Sequence, residues 1–231
     1  MNILEIFFES VKLIIAFDET LYQIIFLSLK VSFSALFISS FIALILGYVL
    51  AIRNFIFKDI IIVFSNSLMG IPPVVVGLIV YFLFANKGPF GVLQLLYTPT
   101  AMIIAQSIII FPIVLSLSYE IFFQNWKQYQ DHFKAFNMPF KGILIILIRH
   151  SYFVIVTILM SAFGRAVSEV GAVMIVGGNI DHYTRSMTTA ISLETRVGNL
   201  DYAMALGIVL ILLTMVINAI VYLLNIRKNL K

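Results

Sequence analysis

The chain has 231 residues, of which 61% are hydrophobic and 11% charged, with a formal net charge of +4. A soluble domain carries about 25% charged residues, and a chain of this length cannot hide so much apolar surface in one water-surrounded core. The composition therefore excludes a soluble enzyme, a disordered protein and a nucleic-acid binder, and makes a lipid bilayer the solvent for most of the chain. Apart from Arg227-Lys228, Lys and Arg lie singly between apolar runs, with no extended basic patch, so the charge bears on membrane orientation. There is no Cys, which removes disulfides, thiolate metal sites and thiol nucleophiles.

In chain order, residues 1–20 hold Glu5, Glu9, Asp18 and Glu19 and lack a basic n-region, so they do not read as a secretory signal. Glu5, Glu9 and Lys12 recur at helical spacing, with apolar residues such as Leu4, Phe7, Phe8 and Val11 on the other sides. That pattern fits an interfacial amphipathic helix, and equally the frayed end of a first span. Charge-free stretches then locate five membrane spans, each needing about 20 apolar residues. They are 31–52, extending back past Lys30; 60–86; about 99–118, after a loop marked by Pro89, Gly91 and Pro99; 151–176, interrupted by Arg165 and Glu169; and 202–226, with Asp201 as N-cap and Arg227 and Lys228 as far anchor. Lys30 sits at the outer end of the first span, where a snorkelling cation or a pathway residue is expected.

The expected fold is an all-α polytopic membrane protein forming a single domain over 1–231. Placing 53–59, 119–150 and 227–231 in the cytoplasm puts nine basic residues there (Arg53, Lys58, Lys127, Lys134, Lys141, Arg149, Arg227, Lys228, Lys231). Only Lys12, Lys87, Arg185 and Arg196 then face the other side. By the positive-inside rule the N-terminus is outside and the C-terminus cytoplasmic.

Several motifs carry potential function. Pro72 and Pro73 remove two backbone donors inside the second span and predict a kink or break, either structural or at a transport site. In the 119–150 loop, Tyr129, Phe133 and Phe136 recur at i, i+4, i+7 and predict a short amphipathic helix. Asn137 suits its left-handed C-terminal position, and Met138 and Pro139 follow. This helix either lies in the interface or docks into a cytoplasmic partner. Arg165 and Glu169 stand four apart, so a facing pair is predicted, either a structural tie or a lining of the transport route. Gly171, Gly177, Gly178 and Asn179 end the fourth span. A polar stretch follows, including Thr184 and Arg185, with a helix over about 186–197 stopped by Gly198. Its hydroxyls and Arg185 suit passage of an oxyanion, and equally suit a wet surface loop. No catalytic or metal constellation is found: His132, His150 and His182 lack metal-ligand spacing to one another, Ser168 lacks the nucleophile-elbow glycines, and there is no phosphate-binding glycine loop.

The stretch Phe163-Gly164-Arg165 followed by Glu169-Val170-Gly171-Ala172 resembles the signature of the oxyanion permeases of ABC importers, the molybdate, tungstate and sulfate group. Val176 to Ile180 and Thr184 to Ile191 most resemble the tungstate permeases of this group, and the Ile71-Pro72-Pro73-Val74 run is also similar to the group. The resemblance implies the type I ABC importer permease fold and a homodimeric pathway in the cell (inner) membrane. It implies an ABC ATPase subunit that holds ATP and Mg, and an extracytoplasmic oxyanion-binding protein. This chain itself would bind no cofactor or metal and catalyse nothing. The resemblance further implies that the 119–150 loop carries the coupling helix, with Asp131, His132 and Phe133 at the start of the family's Glu-Ala-Ala…Gly motif and Asn137 at its glycine. Tyr129, Ala135, Phe136 and Met138 complete that segment. Pro72, Pro73, Arg165, Glu169, Gly171, Gly177, Gly178, Asn179, Thr184 and Arg185 become candidates for the translocation pathway and its gate. The competing expectation is an ion-coupled secondary transporter using the Arg165–Glu169 pair.

Overall fold

The computed structural model describes the backbone of residues 3–229 and the side chains of residues 4–223. Among the described residues there is no strand. Helix α1, Ile3–Ile15, ends before Phe17, whose φ of 56° breaks the helical path. Asp18 then caps α2, Glu19–Ile52, its side chain accepting from Leu21 N at 2.8 Å. α1 and α2 are thus separate helices. α2 starts a full three turns before the expected span, because Glu19 and Gln23 cost a helix nothing where it stands clear of the hydrocarbon.

One edge of α2 carries Ser28, Ser32, Ala35, Ser39, Ala43 and Gly47 at helical spacing, all buried. This edge packs along α5, Pro99–Ala135. Lipid gives helices no hydrophobic reason to associate, so close backbone approach between small residues supplies the contact. Ser39 Oγ donates to Ser107 O at 2.9 Å, and a Cβ on Gly47 would stand 3.0 Å from Tyr119 N. Residues 35–39 meet residue 107 while 43–47 meet 115–119, so the two helices run parallel. The intervening chain must therefore cross back.

That return is made by α3, Lys58–Leu68, and α4, Pro73–Phe84, which meet at 106°. The expected span 60–86 is thus two helices. Pro72 takes the extended N-cap conformation and Pro73 opens α4, where its missing N–H is no loss. Lys58, expected as a loop cation, is buried with its ammonium 4.9 Å from the Phe123 ring centre.

α5 overruns its expected end at 118 by four to five turns. Most of the segment expected as a loop with its own short helix is therefore the far end of α5, followed by α6, Phe140–His150, and α7, Tyr152–Val167. α6 and α7 are bent by 75°. α7 runs antiparallel to α5: Gln106 Nε2 donates to Ala166 O at 2.9 Å, and Asn125 Nδ2 to Ser151 Oγ at 2.7 Å. The expected span 151–176 is broken at 168–170, where α7 gives way to α8, Gly171–Gly177. Met187–Val197 forms α9, ended by Gly198 at φ 90°, and α10 covers Leu200–Asn229. Asp201 lies in the first turn of α10 rather than at its N-cap. Its carbonyl accepts from Ser10 Oγ at 2.7 Å, tying α1 to the start of α10. The side chains of Arg227 and Lys228, the expected anchor, lie outside the described residues.

Among the described residues, α2, α5 and α10 are each long and apolar enough to cross a membrane, and counting each of the bent pairs α3–α4 and α6–α7 as one span gives up to five.

Candidate functional site

Two breaks, one after α3 and one after α7, come together. Glu169 sits between α7 and α8 and joins three helices. Its Oε2 accepts from Arg165 Nη1 of α7 at 3.0 Å, and its Oε1 accepts from the backbone N of Ala172 in α8 at 3.1 Å. Its carbonyl accepts from Thr188 Oγ1 of α9 at 2.7 Å. The Arg165–Glu169 pair is therefore formed, but across a helix end rather than along one continuous helix. The carboxylate is 4% exposed and the guanidinium 38%, so the buried partner depends on the accessible one.

α4 lies directly against α8. A Cβ on Gly77 would stand 2.7 Å from Ala172 Cα, and one on Gly171 would stand 2.6 Å from Val74 Cγ2. This contact brings the helix opened by Pro73 against the one capped by Glu169. Behind it, Ser28, Ser32, Gln106, Glu169, Ser186 and Thr188 line a narrow polar seam with no room for a water molecule. Gln106 Oε1 is buried there without a hydrogen-bond partner. The sequence reading missed Ser28, Ser32 and Gln106. The signals were present: Gln106 is a lone amide in an apolar span, and the two serines fall four apart on the small-residue edge of α2.

At the other end of α8, Gly178 (φ 72°) and Asn179 (φ 50°) both take the left-handed conformation. Thr184, fully buried, closes this turn: its Oγ1 donates to Gly177 O at 2.6 Å and accepts from Ile180 N at 2.9 Å. Asn179 Oδ1 is buried without a partner. The Tyr97 ring covers Gly178, where a Cβ would come within 2.7 Å of it. A hydrogen bond with Tyr81, and then burial, hold the Tyr97 phenol above the usual tyrosine range. Gly178→Ala is expected to destabilise the protein by about 1–2 kcal/mol through backbone strain and the ring contact, read as a lower midpoint of thermal unfolding in detergent. Arg185 lies apart from the seam. It pairs with Asp181 at 2.9 Å and faces a cleft beside α2.

The second candidate region is the hairpin tip between α5 and α6. Asn137 takes φ 47°, and Met138 N donates to Phe133 O at 3.0 Å, which closes α5 with a left-handed Schellman-type cap. The three aromatics do not share one face. Phe133 is buried and stacked on Trp126, with ring centres 5.9 Å apart, and Tyr129 stands edge-on to His150 at 5.4 Å. Both clamp α5 onto α6. Phe136 lies past the last helical residue and is 77% exposed. Asp131, His132, Lys134, Ala135 and Asn137 are also exposed, and Met138 is half-buried. The apolar knob offered to solution is therefore Phe136.

Among the described residues no group of three or more His, Asp or Glu side chains is placed to hold a metal ion. Residues 17–229 match the family described as binding-protein-dependent transport system inner membrane component. The chain is 40% identical over 220 residues to the tungstate uptake system permease protein TupB of Peptoclostridium acidaminophilum, covering 95% of this chain and 96% of that one. It is 37% identical to a probable anion ABC transporter permease protein of Haloferax volcanii, covering 87% and 88%. It is 38% identical to the TupB permease of Campylobacter jejuni, covering 68% and 66%. The all-helical fold with its apolar spans and a match over nearly the whole length agree: the chain belongs to the inner-membrane permease family of binding-protein-dependent transport systems.

Proposed function

We propose that this chain is the membrane-spanning permease subunit of an ABC importer that carries tungstate into the cytoplasm. The reading rests chiefly on its 40% identity, along 95% of its length, to a permease named for tungstate uptake. In this reading two copies form the pathway, an extracytoplasmic protein delivers the oxyanion, and a partner ATPase holds ATP and Mg and does the hydrolysis. The chain itself is non-catalytic. The hairpin tip faces the cytoplasm and docks into the ATPase through Phe136, Ala135 and Asn137, while the N-terminal end of α2 faces outside. The seam around Glu169 is the gate, with Gly171 beside it, Pro72 and Pro73 at the facing helix break, and Gly177 and Asn179 closing the far end of α8. ATP binding and anion delivery each favour a different arrangement of that seam, which is what coupling requires.

Reconstitution with the candidate ATPase and binding protein tests this. Tungstate-loaded binding protein should stimulate ATP hydrolysis, with molybdate and sulfate weaker. Stimulation by sulfate or molybdate in preference to tungstate reassigns the substrate. Uptake that survives ATP depletion but collapses with the proton gradient overturns the importer reading in favour of an ion-coupled carrier. Phe136→Asp is expected to abolish ATPase co-purification and lower uptake at least about tenfold, the loss of one buried aromatic anchor, while leaving the unfolding midpoint unchanged because Phe136 is exposed. Phe133→Asp, by contrast, should unfold the hairpin.

A further inference from the structure

A cleft of about 220 Å³ lies between the first turns of α2 and the turn before α9, lined by Gln23, Phe26, Lys30, Asp181, His182 and Arg185 among others. That is room for several waters at about 30 Å³ each, or for one small headgroup. Its level in the membrane follows from α2. Lys30 and Arg53 bracket the charge-free run 31–52, and at 1.5 Å per residue they stand about 35 Å apart, close to one hydrocarbon thickness of about 30 Å. Lys30 therefore stands at headgroup depth.

The cleft carries two fixed cations, Lys30 and Arg185, against one carboxylate, Asp181. Arg185 meets that carboxylate through Nη1 at 2.9 Å, and its buried Nε has no partner. His182 Nδ1 is engaged with Gln23 Oε1 at 2.9 Å. Directly along α2 from Lys30 runs an exposed apolar track. Phe26, Lys30, Phe33, Phe37 and Phe41 follow i, i+4, i+7, i+11, i+15, and all five are exposed. Phe33 is braced by stacking on Phe163, with ring centres 4.3 Å apart, and Phe37 is 75% exposed.

We propose that this cleft and track form a phospholipid site: the phosphodiester is held at Lys30 and Arg185, and an acyl chain lies along Phe33, Phe37 and Phe41. The two features together select this occupant. A free oxyanion answers the cations and leaves the track bare. A second copy of the chain covers the track and leaves the excess positive charge unanswered. A phospholipid has the anionic group and the apolar tail in the order, and at the depth, that the site presents them. The site is independent of the transport reading, since it is detected by lipid binding alone.

The test is native mass spectrometry of the full chain, delipidated in mild detergent and titrated with dioleoylphosphatidylglycerol. One adduct per chain is expected. K30Q should weaken it roughly tenfold, the worth of one charge-assisted contact. K30R should keep it, and F37Q should weaken it. Lys30 and Phe37 are exposed, so these variants leave the packing intact. Absence of an adduct, or an adduct equally strong in K30Q, overturns the proposal. Displacement of the lipid by free tungstate overturns it too, and assigns the cleft to the transported oxyanion. The chain has no cysteine, so F37C can be oxidised cleanly in native membranes. Efficient cross-linking there overturns the proposal and assigns the track to a second copy.

Discussion

Gly77→Val is expected to lower stability by roughly 3 kcal/mol or more, the upper end of over-packing effects. The neighbour that a Cβ at this position meets is backbone, not a flexible side-chain end: Ala172 Cα at 2.7 Å and Ala172 O at 3.2 Å. α8 must therefore move as a unit, and it is tied at one end by the Glu169 cap and at the other by Thr184. Val74, one turn from Gly77, fixes the same face against Gly171. Thermal unfolding of the detergent-solubilised chain measures the effect. Gly207→Val is the control, because a Cβ there meets nothing within 4 Å. Equal midpoints for the two variants would show that α4 and α8 are not in the close contact described.

The second large effect is non-additivity at Arg165 and Glu169. Arg165→Ala strands a buried carboxylate and is expected to cost about 2 kcal/mol, below the 3–5 typical of fully buried pairs because the guanidinium is partly solvated. Glu169→Gln removes the charge but retains an oxygen for the Ala172 N–H, so it should be milder. The double variant Arg165→Ala, Glu169→Gln should then be more stable than Arg165→Ala alone. A thermodynamic cycle in which the two single effects simply add would sink the claim that the pair is a unit.

Much of this was readable from residue order, and the failures have physical causes. The Pro72–Pro73 break, the left-handed Asn137, the end of α9 at Gly198 and the Arg165–Glu169 pairing follow from local chemistry, which acts over a few residues. The helix ends at Glu19 and Ala135 did not follow. Apolar runs report where lipid begins, whereas a helix continues into water wherever no Pro, Gly or cap intervenes. The break at 168–170 has no proline to announce it, because Glu169 makes it by capping the next helix with its own side chain. Phe133 was grouped with Phe136 by spacing, but spacing says nothing of which face meets α6. The polar seam draws on α2, α5, α9 and the break between α7 and α8, and only folding puts Ser28 and Gln106 beside Glu169.

The length of α5 has a mechanical consequence. Its 37 residues make a rod about 55 Å long at 1.5 Å per residue, running from the loop beside Tyr97 to the hairpin tip. An unbroken helix is stiff along its axis, so a push at the tip arrives at the far end as rigid-body tilt rather than dissipating in bending. A tilt of about 5° about the midpoint displaces each end by roughly 2.4 Å in opposite directions. The close contact with the small-residue edge of α2, over residues 107–119, lies at the midpoint about which such a tilt would turn. Pro112, about a third of the way along the rod, removes one ladder hydrogen bond without ending the helix.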